Sequence, residues 1–320
     1  PVSGSAYTYS YAVMGELVAW LVGWALMLEY SVAASAVAVG WSGYFVGLLQ
    51  NSLGIEMPFA LANGPFAGGI INLPAVIICM LVVGLLVIGT RESATFNAVL
   101  VAVKIAALML FIALTMPVAE WSNFQPFLPL GEAGVVAAAS SIFFAYVGFD
   151  AVSTAAEETK NPQRNVPIGL IGSLGICTIF YLLVSAGAIG AVGAQPVMGA
   201  DGNGLIPGSR LLADQCQSLA TAGQQPLVCS REALALVLRE IGWEKIGNLL
   251  GLAAFLALPS VVLMMLFGQT RIFFVMSRDG LLPEVLSRIH PRFKTPHVVT
   301  YVTGLGVTIA AAFFPVGKLA

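Results

Sequence analysis

Long apolar runs, almost free of charge, recur along this chain and leave few folds open to it. A helix rises 1.5 Å per residue, so roughly 20 such residues cross the ~30 Å hydrocarbon layer of a bilayer. Seven segments match that description: 14–40, 72–90, 94–117, 134–156, 168–192, 246–270 and 298–314. The last is short, but His297 and Pro315 read as natural ends. None of the runs alternates as a membrane barrel strand does, so each is expected to be a helix that satisfies its own backbone in lipid. Charged residues make up only 9% of the chain, against about 25% in soluble domains. Too few charges remain to cover a water-facing surface. The expected class is an all-α integral membrane protein with about seven transmembrane helices in a single domain over 1–320.

Other function classes lose support on the same reading. A net charge of -2 gives no basic face for nucleic acid. The chain has no GxxxxGK[ST], no HExxH, no nucleophile elbow and no Cys/His metal spacing, so neither an enzyme nor a cofactor or metal is expected. The two histidines, His290 and His297, fall in a basic polar stretch. Pro1 is not an initiator and no signal peptide precedes the first run, while Ala320 follows a hydrophobic stretch directly. Further helices are therefore expected at both ends.

Loop charge orients the bundle. One set of loops carries Arg91, Lys160, Arg164, Arg271, Arg278, Arg288, Arg292 and Lys294, while the alternate loops 42–71 and 118–133 contain no Lys or Arg. The positive-inside rule places the basic set, and residues 1–12, in the cytoplasm of a plasma-membrane protein. The long loop 193–245 then lies outside, where an oxidising compartment permits Cys216 and Cys229 to pair; two free thiols are the alternative. Cys79 and Cys177 lie within spans and read as small packing residues.

Charges at bilayer depth are costly and usually face a partner or a cavity. Glu29, Lys104 and Asp150 are of this kind, whereas Glu16 lies nearer the interface. Lys104 has about ten uncharged residues on either side, too deep for easy snorkelling. A lysine amine taken out of water can exchange its proton during a working cycle, which suits a proton-coupled carrier. It can equally pair with Glu29 or Asp150, or cap the carbonyls of a broken helix. Gly148 precedes Asp150 by two residues and reads either as a break that frees backbone groups for a solute or as a place where a neighbouring helix approaches closely. Pro259 puts an irregular point in the middle of the sixth run.

Three motifs in order carry a family resemblance. FFAYVGFDAVSTAAEETKNPQRNVPIG (143–169), GQTRIFFVMSRDGLLP (268–283) and SAYTYSYAVMGELVAWLVGWALMLEY (5–30) resemble the sixth, eighth and third helices of amino acid–polyamine–organocation permeases. The likeness covers essentially the whole chain and is closest to bacterial relatives of cationic amino-acid transporters. It implies a five-plus-five inverted-repeat transporter fold, with the seven runs as helices three to nine. The implied function is secondary active, proton-coupled amino-acid transport by alternating access; a non-transporting amino-acid sensor and a channel are the alternatives. It also implies site roles. Phe144, Ala145 and Val147 would meet substrate through backbone carbonyls beside a break at Gly148. Glu29 would lie close to the site, and Leu258 and Pro259 near the position that limits side-chain size. Lys104 would carry the coupling proton. Glu157, Arg164 and Arg271 would contribute to a cytoplasmic gate. The implied partners are an amino acid, protons and the bilayer.

Overall fold

Several helix boundaries in this protein fall at glycine, proline or asparagine. The structure, a computed structural model, describes residues 5–89, 94–149, 159–193, 197–199, 204–205, 210–222 and 226–319. Helix α1 (Ser5–Met14) ends at Gly15, whose φ of 84° turns the chain into α2 (Glu16–Leu53). The helix runs on through several glycines and ends only at Gly54, which takes a left-handed φ of 65° and donates its N–H back to Leu49. The first run, expected to end near residue 40, therefore continues to Leu53, ~57 Å at 1.5 Å per residue. Asn72 caps the next helix, α3 (Leu73–Ile88), by accepting from the Ala75 N–H at 3.2 Å, and Ser42 of α2 donates to the same Oδ1 at 2.6 Å.

Helices α4 (Ala94–Thr115), α5 (Gly131–Phe143), α6 (Pro162–Val192), α7 (Arg210–Thr221), α8 (Ala233–Glu240), α9 (Glu244–Arg278) and α10 (His297–Phe313) follow, and single turns of helix stand at Phe59–Ala62 and Val316–Leu319. Six of the seven apolar runs are helical over most of their length, while in 134–156 regular helix is described only as far as Phe143. Among the described residues, four helices are long and apolar enough to cross a membrane: Glu16–Leu53, Ala98–Val118, Pro162–Val192 and Glu244–Arg278. Leu73–Ile88 and His297–Phe313 are shorter apolar helices. This is an all-helical protein of the integral membrane class.

The main core lies where α9 runs along α2. Met27, Tyr30, Ala34 and Ala38 of α2 meet Val262, Leu266 and Met276 of α9, all buried. Small residues make the approach possible: a Cβ on Gly23 would sit 2.4 Å from the Met276 sulfur. A similar fit joins α10 to α3, where Gly304 receives Val83. A second, smaller cluster packs Phe111 of α4 and Ala188 of α6 against Val237 and Leu238 of α8. The most apolar stretch of α6 has none of its residues buried. In water so large an apolar face would be an aggregation surface; in lipid it is an ordinary one. Cys177 is exposed on that helix, so it is not the packing residue expected, whereas Cys79 is fully buried.

At the end where α9 stops, Tyr7 of α1 is fully buried and donates its hydroxyl to Asp279 Oδ2 at 3.0 Å. Burial, then the Asp279 hydrogen bond, hold this phenol well above its ordinary range. The folded state keeps the proton longer than the unfolded chain, so the stability from this contact is present below pH ~10 and is lost as pH rises above it. Tyr7→Phe should remove that alkaline loss and cost about 1 kcal/mol at neutral pH. Thermal unfolding compared at pH ~7 and ~11 reads both effects.

Candidate functional site

A proline in the middle of a helix cannot donate to the carbonyl four residues back, and its ring pushes that carbonyl aside. In α9 the carbonyl concerned belongs to Phe255, yet the helix runs unbroken through Pro259. A side chain of α2 takes over the missing bond: the Trp41 indole N–H donates to the Phe255 carbonyl at 2.8 Å. The Trp41 ring stacks on Phe45 and on Phe255, each at 5.3 Å between centroids. The carbonyl is thereby met, where leaving it bare in apolar surroundings would cost about 1–3 kcal/mol.

Ser260 follows the proline. Its hydroxyl donates to the Ala257 carbonyl at 2.8 Å and accepts from Lys104 Nζ of α4 at 3.1 Å. Lys104 is half-buried, and its contact is with this irregular turn. Of the partners the sequence offered it, Asp150 lies outside the described residues and Glu29 is half-buried on α2 beside the buried Tyr30. A cavity of about 560 Å³ opens at the same turn between α3, α4 and α9, walled by Ile78, Leu85, Leu100, Leu256, Pro259 and Ser260 among others. Its size is that of a small-molecule pocket, and Ser260 brings a hydroxyl to an otherwise apolar wall. Leu258, one residue before the proline, packs instead against the main core, as does Val147.

The second irregular point is the end of α5. Regular helix stops at Phe143, Phe144–Tyr146 tightens into a 3₁₀ turn, and Gly148 takes φ 106°. A Cβ there would lie 2.5 Å from the Met265 methyl of α9. At Gly148 the backbone departs from helix and a side chain of the neighbouring α9 comes close. The Ala145 carbonyl, expected to face a ligand, accepts the Tyr181 hydroxyl of α6 at 2.7 Å. A carbonyl keeps a second lone pair, so this bond does not exhaust it. The Phe144 side chain lies outside the described residues, as does Glu157. Met265 can swing its methyl away, so backbone strain sets the effect of Gly148→Ala: about 1–2 kcal/mol from the left-handed φ. Thermal unfolding and uptake should both register it.

Of the expected gate residues, Glu157 lies outside the described residues. Arg164 is exposed in the first turn of α6, and the Arg271 guanidinium lies 4.2 Å from the centroid of the Phe267 ring.

At the opposite end of α2 is a polar cluster that sequence reasoning missed. Glu232 is 7% exposed and forms an ion pair with Arg239. The amide of Asn51 donates to the same oxygen at 2.8 Å, and Arg239 also donates to Asn248 at 3.3 Å. Gly47 leaves the space that the Glu232 carboxylate fills. Burial pushes this carboxyl above the ordinary range, against the pull of Arg239 and Asn51. A cavity of about 380 Å³ lies beside it, with the disulfide between Cys216 and Cys229 in its wall. The signal available was a glutamate and an arginine seven apart around a short helix, too common a pattern to single out.

Residues 1–320 match the family model described as amino acid permease. The chain is 42% identical to the branched-chain amino acid permease BcaP of Bacillus subtilis, over all of this chain and 63% of that protein. It is 40% identical to the methylthioribose transporter of the same organism, again over all of this chain and 63% of the relative. A vacuolar cationic amino acid transporter 2 of Arabidopsis thaliana is 33% identical over this whole chain and 46% of its own length. The chain therefore spans less than two thirds of these curated relatives.

Proposed function

This chain belongs to the amino acid permease family, and from that premise we propose that it carries out proton-coupled amino-acid transport by alternating access. It is a multi-pass membrane protein with no sign of a catalytic constellation among the described residues. The observation that carries the reading is the Lys104–Ser260 contact, 3.1 Å long, at the proline turn of α9. A titratable amine inside an apolar bundle, held by a neutral hydroxyl, can release and regain a proton without leaving a bare anion behind. The contact lies on one irregular helix, α9, which also meets the irregular end of α5 through Met265; irregular helices of this kind form the sites around which access alternates.

On this reading the seven helices traverse the plasma membrane as helices three to nine of a five-plus-five inverted repeat. The basic loops face the cytoplasm, and the cavity beside Glu232 faces outward. The Ala145 and Val147 carbonyls and Gly148 contribute to the substrate path, with Glu29, Leu258 and Pro259 nearby. Glu157, Arg164 and Arg271 contribute to a cytoplasmic gate.

The test is uptake into proteoliposomes under an imposed inside-alkaline pH gradient. The panel should hold a branched-chain amino acid, a cationic amino acid and methylthioribose, since relatives are named for each. Accumulation of one of the amino acids above equilibrium, collapsing with a protonophore, is the expected result. Binding without uptake would identify a sensor. Gradient-independent flux at channel rates, or uptake of methylthioribose alone, would also overturn the reading.

A further inference from the structure

Pro259, Trp41 and Ser260 come from distant parts of the chain and meet at one turn. The proline withdraws the N–H that the Phe255 carbonyl would have used. Left alone, that carbonyl would find another donor by bending α9 or admitting water, and the next turn would move with it. The Trp41 indole instead fixes it at 2.8 Å from a side chain that is 6% exposed and stacked in a cluster with two phenylalanine rings. Ser260 lies one residue beyond the proline, and its hydroxyl is oriented by the Ala257 carbonyl of the same turn. The position at which Lys104 finds its acceptor is thus set by a bond made on the other side of α9.

We infer that Trp41 is a positioning residue for the coupling contact: by donating to the carbonyl released at Pro259, its indole N–H holds the turn of α9 on which Ser260 receives Lys104. This inference rests on the proposed role of Lys104. The simpler account of Trp41, a large ring filling space between α2 and α9, predicts that its N–H is dispensable. The two accounts separate because the proline and the indole do complementary work. Restoring a backbone N–H at 259 makes the indole donor redundant, whereas it does nothing for lost ring packing.

The experiment is a double-mutant cycle between Trp41→Phe and Pro259→Ala, read in proteoliposomes as kcat/KM and as the pH profile of gradient-driven uptake. Trp41→Phe keeps a stacked ring and removes the donor. In the native background it should lower kcat/KM by about tenfold, the size of one buried hydrogen bond, and displace the pH profile. In the Pro259→Ala background the same change should cost less than about twofold and leave the profile in place. The same cycle, run on thermal unfolding midpoints, serves where the Pro259→Ala protein transports too slowly to assay. An equal loss in both backgrounds, or an unshifted pH profile in the native one, would overturn the inference. Lys104→Met, measured alongside, judges the coupling reading separately: driven accumulation that survives it removes that reading, while the cycle still decides whether the indole holds the turn.

Discussion

Substituting Lys104 by methionine should abolish accumulation driven by a pH gradient, with uptake falling by about 10- to 100-fold, as loss of a charged buried hydrogen bond allows. Methionine keeps the unbranched stem and most of the volume, so the packing of α4 against α9 is retained. What goes is the ammonium that donates to Ser260 Oγ at 3.1 Å, and with it the one titratable group placed at that turn among the described residues. Exchange of substrate across the membrane without a gradient needs no proton movement and should persist at a reduced rate. That separation distinguishes a coupling residue from a structural one, since a misfolded carrier loses exchange and accumulation together. Full accumulation by Lys104→Met would remove the coupling role. Ser260→Ala is a milder companion: it leaves the lysine in place without its acceptor, so it should shift the pH dependence more than the maximal rate.

How much of this was legible beforehand depended on whether the cause was local. Six of the seven apolar runs are helical over most of their length because hydropathy and length act within one segment, and Gly148 and Pro259 were visible as irregular points because glycine and proline alter the backbone where they stand. The overshoot of α2 to Leu53 was not legible, since the residues after 40 are mixed in character and only the left-handed cap at Gly54 ends the helix. Partners were the least readable feature. Trp41 and Phe255 are 214 residues apart, and Lys104 and Ser260 are 156 apart. No spacing rule links such residues; only the packing of α9 between α2 and α4 does. The Ser260 hydroxyl was not anticipated as a partner of Lys104 for the same reason. A serine after a proline is an unremarkable pair until the helix bearing the lysine is laid beside it. Tyr181 was missed likewise, because its acceptor is a backbone carbonyl, which no residue type announces.

Arg239→Met should be the most damaging single change for stability, costing about 3–5 kcal/mol near neutral pH. It strands the Glu232 carboxylate in a site that is 7% exposed, beside Gly47, with Asn51 as the remaining donor at 2.8 Å. The pH dependence carries the diagnosis. Burial already holds the Glu232 carboxyl above its ordinary range with Arg239 in place, and losing the guanidinium takes away a lowering influence. A folded-state value raised above the unfolded one means that the native protein binds the proton more tightly. Stability is therefore greatest at low pH and falls as pH rises from the ordinary carboxyl range through the raised folded value. The deficit of Arg239→Met should accordingly be smaller at pH ~5 than at pH ~8, because the buried acid can neutralise itself in the first case. Adding Glu232→Gln to it should recover part of the loss at pH ~8 and flatten the slope, since a neutral amide fills the same space without a charge. Thermal unfolding of the two variants in detergent at both pH values decides the matter. A pH-independent deficit, unrelieved by Glu232→Gln, would show that Arg239 acts through packing alone, and that α2, α8 and α9 are held together at this end without help from the buried charge.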